Sequence, residues 1–328
     1  MKQILGIGNA LVDVMTKIND DIILEKFSLP KGSMQLVDGI KSGMIKHETL
    51  SFERVFASGG SAANTIHGLA MLGAETGFIG SIGKDELGDY FENDMKHVGI
   101  KTFLSRRNSV TGTAVALISP DSQRTFATHL GAAVELEAAD LEPEYFAGFD
   151  ILYLEGYLII NKPLVDKVCR IAKEMKMKIA IDLSSYNVVE SNLAAFKEII
   201  EKYVDIVFAN EEEARSFTAV GPEDALDTIS GICEVAVIKV GSEGSWVKRG
   251  EEIIKIGTVQ VNLTDTTGAG DLYASGFLYG YANGLNLGKC GLLGSLLAGK
   301  VIEIIGARMH ESRFDEIKQA AMRIIESE

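Results

Sequence analysis

From about residue 150 the chain keeps a single rhythm, and that rhythm limits the folds open to it. Short apolar runs at 151–155, 179–182, 205–208 and 235–240 alternate with amphipathic segments near 162–175, 192–202, 211–218 and 223–231. Apolar runs of this length, separated by helix-length segments, predict parallel strands with helices packed on both faces of the sheet. Residues 245–248 and 253–256 flank Arg249-Gly250-Glu251, which predicts a hairpin at the sheet edge, and 271–284, 287–304 and 311–326 read as helices. Open sheets of this kind bind ligands outside the carboxyl ends of their strands. Asn9 and Asp13 follow the apolar run at 3–7, Asn210 and Gly241 follow later runs, and Gly59-Gly60 and Asp271 open helices. These distant residues are therefore expected along one edge.

Two stretches, 15–38 and 110–130, break the rhythm. Residues 111–119 and 124–130 are β-rich and joined by Pro120-Asp121-Ser122-Gln123, a hairpin turn, and 33–37 reads as one more strand. Without helices between them, these pieces predict a small sheet inserted into the major domain as a lid rather than a tandem domain. With 328 residues, 46% of them hydrophobic, the chain can bury a core large enough for that single unit. The net charge of −14, with no basic cluster, disfavours nucleic acid and anionic membranes as partners. A nucleotide triphosphate still fits if the local site is positive and a divalent cation bridges the charges. Cys169, Cys233 and Cys290 are far apart with no C-x-x-C, as expected of reduced core cysteines, and the five histidines show no metal spacing. The N-terminus lacks a signal-peptide apolar region and no stretch resembles a membrane span, so the expectation is a cytoplasmic protein.

The most chemical stretch is Asp265-Thr266-Thr267-Gly268-Ala269-Gly270-Asp271, a small-residue turn between two carboxylates that runs into an apolar helix. The amide protons of Gly268, Ala269 and Gly270, at the positive end of a helix, form a candidate anion hole. Asp271 beside them is a candidate general base. Phosphoryl transfer to an alcohol needs that pairing of charge stabilisation with a proton acceptor. The plain alternative is an aspartate that caps a helix. No G-x-x-x-x-G-K-[ST] occurs, and neither Gly6-Ile7-Gly8 nor Gly268-Ala269-Gly270 has the third glycine of the dinucleotide fingerprint.

Asp265–Asp271 resembles the C-terminal signature of the ribokinase-like (PfkB) sugar and nucleoside kinases. Gly59-Gly60-Ser61-Ala62-Ala63-Asn64, about 200 residues upstream, resembles their N-terminal signature, and further matches run from Gly8 to Gly306. The resemblance implies a three-layer α/β/α domain with a mainly parallel sheet and a β-sheet lid. It implies transfer of the γ-phosphoryl group of ATP, with Mg2+, to a hydroxymethyl group. It implies Asp13 on the acceptor hydroxyls with Gly59, Gly60 and Asn64 completing that pocket. Asn210 and Glu213 of an N-x-x-E would organise magnesium, Glu213 through water, and Thr267, Lys239, Gly241 and Gly244 would line the nucleotide side. Asp265 would orient the loop or help hold a monovalent cation such as K+, whose ligands stay open. The residue types leave plainer roles open: Asp13 as a turn residue, Asn64 as a buried polar bridge, Glu213 in a solvated helix start, Lys239 as a surface cation, Arg124 as an exposed hairpin arginine. Glu155-Gly156-Tyr157 is expected as pocket wall.

Residues 8–13 and 123–133 look closer to the adenosine kinase branch, which favours the 5′-hydroxyl of adenosine as acceptor. Ribose, fructose or a related sugar remains open, as does a non-catalytic nucleoside- or sugar-binding protein of the same fold. An NAD-dependent enzyme is disfavoured by the missing fingerprint. Monomer and homodimer are both compatible with the sequence.

Overall fold

The computed structural model describes residues 1–121 and 123–327; Ser122 of the expected hairpin turn lies outside them. Fourteen strands are described: β1 (Ile4–Ile7), β2 (Leu11–Lys17), β3 (Met34–Leu36), β4 (Arg54–Gly59), β5 (Thr76–Gly83), β6 (Lys101–Arg107), β7 (Gly112–Ile118), β8 (Arg124–His129), β9 (Ile151–Glu155), β10 (Lys178–Asp182), β11 (Ile206–Asn210), β12 (Val235–Lys239), β13 (Ser245–Arg249) and β14 (Glu252–Ile256). The helices are α1 (Ile22–Lys26), α2 (Gly39–Glu48), α3 (Ser61–Met71), α4 (Glu86–His97), α5 (Lys162–Glu174), α6 (Tyr186–Ser191), α7 (Leu193–Tyr203), α8 (Glu211–Thr218), α9 (Pro222–Ser230), α10 (Ala269–Ala282), α11 (Leu287–Val301) and α12 (Glu311–Glu326).

Nine strands form one sheet in the order β14-β13-β12-β11-β10-β9-β1-β5-β6. It is parallel from β12 to β6, and the hairpin β13–β14 closes one edge antiparallel. Side chains alternate between two cores, as strand geometry requires. Ile151, Tyr153, Ala180, Ile206, Phe208, Val235 and Val237 pack toward α3, α10 and α11. Leu152, Leu154, Ile179, Ile181, Val207, Ala209, Ala236 and Ile238 pack toward α5, α7, α8 and α9.

The second sheet has the order β3-β8-β7-β2-β4. Its extent differs from the sequence expectation. It begins at Leu11 rather than residue 15, it takes in β4 as an edge strand, and α1 and α2 cover one of its faces. Asp13 accordingly lies inside a strand and not in the turn after β1. The main sheet also extends past β1 through β5 and β6, which the sequence reading did not assign. β5 is the run Thr76–Gly83 with three glycines, so its weak β character hid it; tertiary burial on every residue makes it a strand.

Candidate active site

The loop before α10 is tied down by Asp265. Its carboxylate accepts from the Gly306 N–H at 2.8 Å, from the Thr267 hydroxyl at 2.9 Å and from the Thr267 N–H at 3.2 Å, and it pairs with the guanidinium of Arg124 from β8. Burial pushes Asp265 up, but these donors outweigh it and hold the carboxyl below its ordinary pKa. Arg124 is therefore not an exposed hairpin arginine: its side chain is 9% exposed and bridges the two sheets' loops.

Gly268 caps α10 in the left-handed region (φ +77°), and a Cβ there would sit 2.5 Å from the Ala307 Cβ, so conformation and space both require glycine. The Ala269 N–H donates to the Thr266 carbonyl at 3.1 Å. That corrects the three-amide anion hole. Among the described residues, no protein group accepts from the N–H groups of Gly268, Gly270 or Asp271, and these are the amides left for an anion.

Asp271 is held by α3. The Ser61 hydroxyl donates to Oδ1 at 2.7 Å and the Asn64 amide to Oδ2 at 3.0 Å, while the Thr65 hydroxyl donates to its carbonyl at 3.1 Å. Burial pushes the carboxyl up to about 6 against those donors; Asp182 adds to the rise and Lys239 opposes it. Asn64 is thus a polar bridge to the carboxylate, yet its Oδ1 is buried without a partner. Lys239, at the end of β12, is not a surface cation. Its ammonium lies 2.8 Å from Asp182 and 3.1 Å from where a Cβ on Gly270 would project, which sets it beside the free amides. Burial pulls Lys239 down, but Asp182 and Glu213 outweigh it, so the lysine stays charged.

Asn210 and Glu213 form a reciprocal capping box on α8. The Glu213 N–H donates to Asn210 Oδ1 at 2.9 Å, and the carboxylate of Glu213 accepts from the Asn210 N–H and side-chain amide, both at 2.8 Å. Glu213 is buried rather than solvated, and burial together with Asp182 raises it to about 7. A Cβ on Gly241 (φ +54°) would only graze Glu211 Oε2 at 3.9 Å, whereas a Cβ on Gly244 would collide with the Ile256 carbonyl. Hairpin packing alone accounts for the glycine at 244.

On the other side of the cleft, the Asp13 carboxylate lies across Gly59, where a Cβ would be 2.5 Å from Oδ1. Among the described residues it accepts no protein hydrogen bond. Burial raises it to about 7; Arg308 lowers it and Asp271 raises it further. Gly60 (φ +99°) lets the chain turn against the Asn9 carbonyl into α3. Glu155, expected only as pocket wall, accepts from the Asn9 side chain at 2.6 Å, the Asn9 N–H at 3.3 Å and the Ala62 N–H at 3.0 Å, and so caps α3 from the main sheet. Burial raises it to about 7.

Arg124 marks the face of the small sheet turned toward α10. By alternation and register that face also carries Phe126, Ala116, Met15, Val55 and, from β3, Met34 and Leu36. Met34, Leu36 and Val55 are more than half exposed. The face that carries Asp13 is therefore mostly apolar around it.

Of the residues singled out from sequence, Asp271 and Asn64 meet directly and Lys239 lies beside Gly270; the contacts of Ser61, Glu155, Asp182 and Arg308 were not foreseen. Asp182 and Glu155 end β10 and β9 at the same edge as Asn210, so the strand-end rule pointed to them. Arg308 lies in an irregular segment after α11 and carries no such signal.

Free amides beside a charged lysine, a buried carboxylate next to them and a second carboxylate across the cleft are the groups that phosphoryl transfer to an alcohol requires. Residues 44–312 match the model of the pfkB family carbohydrate kinases. A probable sugar kinase from Rhizobium etli superposes with a TM-score of 0.88 at 34% identity, covering 98% of this chain and 99% of that one. An adenosine kinase from Sinorhizobium meliloti superposes with a TM-score of 0.87 at 35% identity, covering 97% and 99%. A protein described as an uncharacterized sugar kinase from Archaeoglobus fulgidus is 30% identical over 251 residues, 74% of this chain and 96% of that protein. The chain belongs to the pfkB family of carbohydrate kinases, with the ribokinase-like α/β architecture and small second sheet expected from its motifs. It is a phosphotransferase with an alcohol group as acceptor. No helix among the described residues is long and apolar enough to cross a membrane.

Proposed function

We propose that the protein transfers the γ-phosphoryl group of ATP to the 5′-hydroxyl of a nucleoside, with adenosine as the acceptor. The observation that carries the nucleoside over a free sugar is the apolar inner face of the small sheet, where Met15, Met34, Leu36, Val55 and Phe126 share a face with Asp13. A free sugar presents hydroxyls on every side and would leave them unpaired against such a surface, whereas a purine offers a flat apolar face. The adenosine kinase likeness of the chain agrees with this reading.

In this reading Asp13 accepts from the ribose hydroxyls with Asn64 Oδ1 as a further acceptor, since neither accepts a hydrogen bond from the described residues. Asp271 removes the proton from the attacking hydroxyl. Its raised pKa, about 6, suits a base that must accept a proton near neutral pH. The amides of Gly268 and Gly270 and the ammonium of Lys239 hold the migrating phosphoryl group, with Thr267 and Gly241 on the nucleotide side. The excess of buried carboxylates around Lys239 fits a divalent cation. Both oxygens of Glu213 are engaged by Asn210, and Asp182 pairs with Lys239, so these carboxylates would act on Mg2+ through water, and the ion would neutralise phosphate charge. A monovalent-cation site gains no support from Asp265, whose oxygens are engaged by Arg124, Thr267 and Gly306. The small sheet acts as a lid that shields ATP from water.

The test is ADP release from MgATP across a panel of nucleosides and free sugars. Adenosine is expected to give the highest kcat/KM. Turnover of ribose or fructose with no turnover of any nucleoside overturns the acceptor assignment, and tight acceptor binding without turnover supports a binding protein instead.

A further inference from the structure

Arg308 stands where three parts of the acceptor side meet, and no motif accounts for it. Its Nε donates to the Ser58 carbonyl at 2.6 Å and its Nη2 to the Ser58 hydroxyl at 2.7 Å. That hydroxyl in turn donates to Asp94 of α4. Ser58 is the residue before the Gly59-Gly60 pair. The strand β4 ends one residue later at Gly59, on which Asp13 rests, and α3 with its Asp271 ligands Ser61 and Asn64 starts at Ser61. The remaining nitrogen, Nη1, is buried with no partner.

We propose that Arg308 is a positioning residue for the acceptor: it clamps Ser58 so that the glycine pair on which Asp13 rests and the start of α3 are fixed, and it supplies the positive charge on that side of the site. The proposal rests on the acceptor-side reading of Asp13 but not on the identity of the acceptor. The charged and titratable groups around the pair are few. Asp94 and Tyr90 face Arg308 from α4, His67 from α3, Asp13 from β2 and Asp271 from α10, while Asp13 faces Arg308 and Asp271. His67 is held neutral, first by burial and then by Arg308 itself, so Arg308 is the cation that balances these carboxylates. Burial pulls Arg308 down to about 10, which leaves it charged at neutral pH. Because Arg308 lowers the pKa of Asp13 and burial raises it, removing the cation moves Asp13 upward. The acid limb of kcat/KM for the acceptor then moves to higher pH.

The experiment compares wild type, Arg308→Gln and Arg308→Lys with the best acceptor from the panel, nucleoside or sugar, following acceptor KM, ATP KM and the pH profile. Arg308→Gln is expected to raise acceptor KM by about tenfold or more, to leave ATP KM within about twofold, and to shift the acid limb upward. Arg308→Lys keeps the charge but not the two-nitrogen grip, so it is expected to retain the wild-type limb while acceptor KM still rises. A purely structural arginine would lower the melting temperature and leave the limb in place, and that result overturns the proposal. So does an equal rise in both KM values, or an unchanged acceptor KM in either variant. Should the glutamine variant fail to fold, the lysine variant decides alone: a limb that moves, or an unchanged acceptor KM, overturns it. A panel in which nothing is phosphorylated defeats the kinase reading separately, because the variants are compared only against measured wild-type turnover.

Discussion

The two sheets bury their strands differently, and they divide the site between them. Strands β1 and β9–β12 of the main sheet are covered on both faces, so the residues at their ends, Glu155, Asp182, Asn210 and Lys239, are set by a packed core. The small sheet is covered on one face only. Its Val12, Val14, Val115, Leu117 and Ala127 pack with α1 and α2, and its other face carries Asp13, Arg124 and an exposed apolar surface. In the proposed reading, charge handling for the phosphate falls to the doubly covered sheet and the helix α10 packed on it, and selection of the acceptor to the half-covered one.

The largest effect that would sharpen this division is at Asp271. Asp271→Asn is expected to fold normally, to bind ATP as before and to lose roughly 10²–10⁴-fold in kcat. In the wild type the kcat profile is expected to fall as pH drops through about 6, because protonation removes the acceptor for the hydroxyl proton. Near-wild-type turnover of the asparagine variant would remove Asp271 from that role and with it the chemical half of the comparison.

A smaller effect is expected where the sheets meet. Arg124→Met unhooks β8 from Asp265, a pair about one-tenth exposed on each side. Loss of a charge-assisted contact of this kind is worth about 1.5–3 kcal/mol, so kcat/KM should fall on the order of 10- to 100-fold. Hydrolysis of ATP without acceptor should rise relative to transfer. Unchanged coupling between hydrolysis and transfer would show that the two sheets do not depend on this contact.

The smallest effect is on stability, and its sign is informative. Asp13 titrates at about 7 in the fold against an ordinary 3.8, so the native state binds more protons than the unfolded chain between those values. Its ionisation therefore weakens the fold as pH rises from about 4 to 7. Asp13→Asn should raise the melting temperature by a few degrees at pH 8, and the gain should shrink as pH falls toward 4. A gain that is independent of pH would mean that Asp13 is not held ionised at a cost to the fold.

The sequence showed the doubly covered part of the molecule more plainly than the half-covered part, for a physical reason. Strands β9–β12 announce themselves because burial on both faces demands unbroken apolar runs, and their expected positions agree with the observed ones to within a residue or two. β4 reads Arg-Val-Phe-Ala-Ser-Gly, an edge strand with mixed exposure, and gave no such signal. In the site, motifs with local geometry were legible: the N-x-x-E of Asn210 and Glu213, a capping box in the fold, spans four residues, and so does the glycine turn before Asp271. What was not legible were the contacts that span the chain. Glu155 reaches Ala62, Arg124 reaches Asp265, and Arg308 reaches Ser58 across 250 positions. Spacing within a sequence encodes none of these.

The chain passes between the two sheets four times: from β1 into β2, from β4 into α3, from β6 into β7, and from β8 back through Leu130 and Gly131. Substrate preference cannot, then, be transplanted as one contiguous cassette from a relative. A chimera that exchanges the small sheet has to replace two separate segments, one from β2 to β4 and one from β7 to β8, and keep all four junctions in register, so new specificity in this scaffold should arise more readily by point changes on the open face than by recombination.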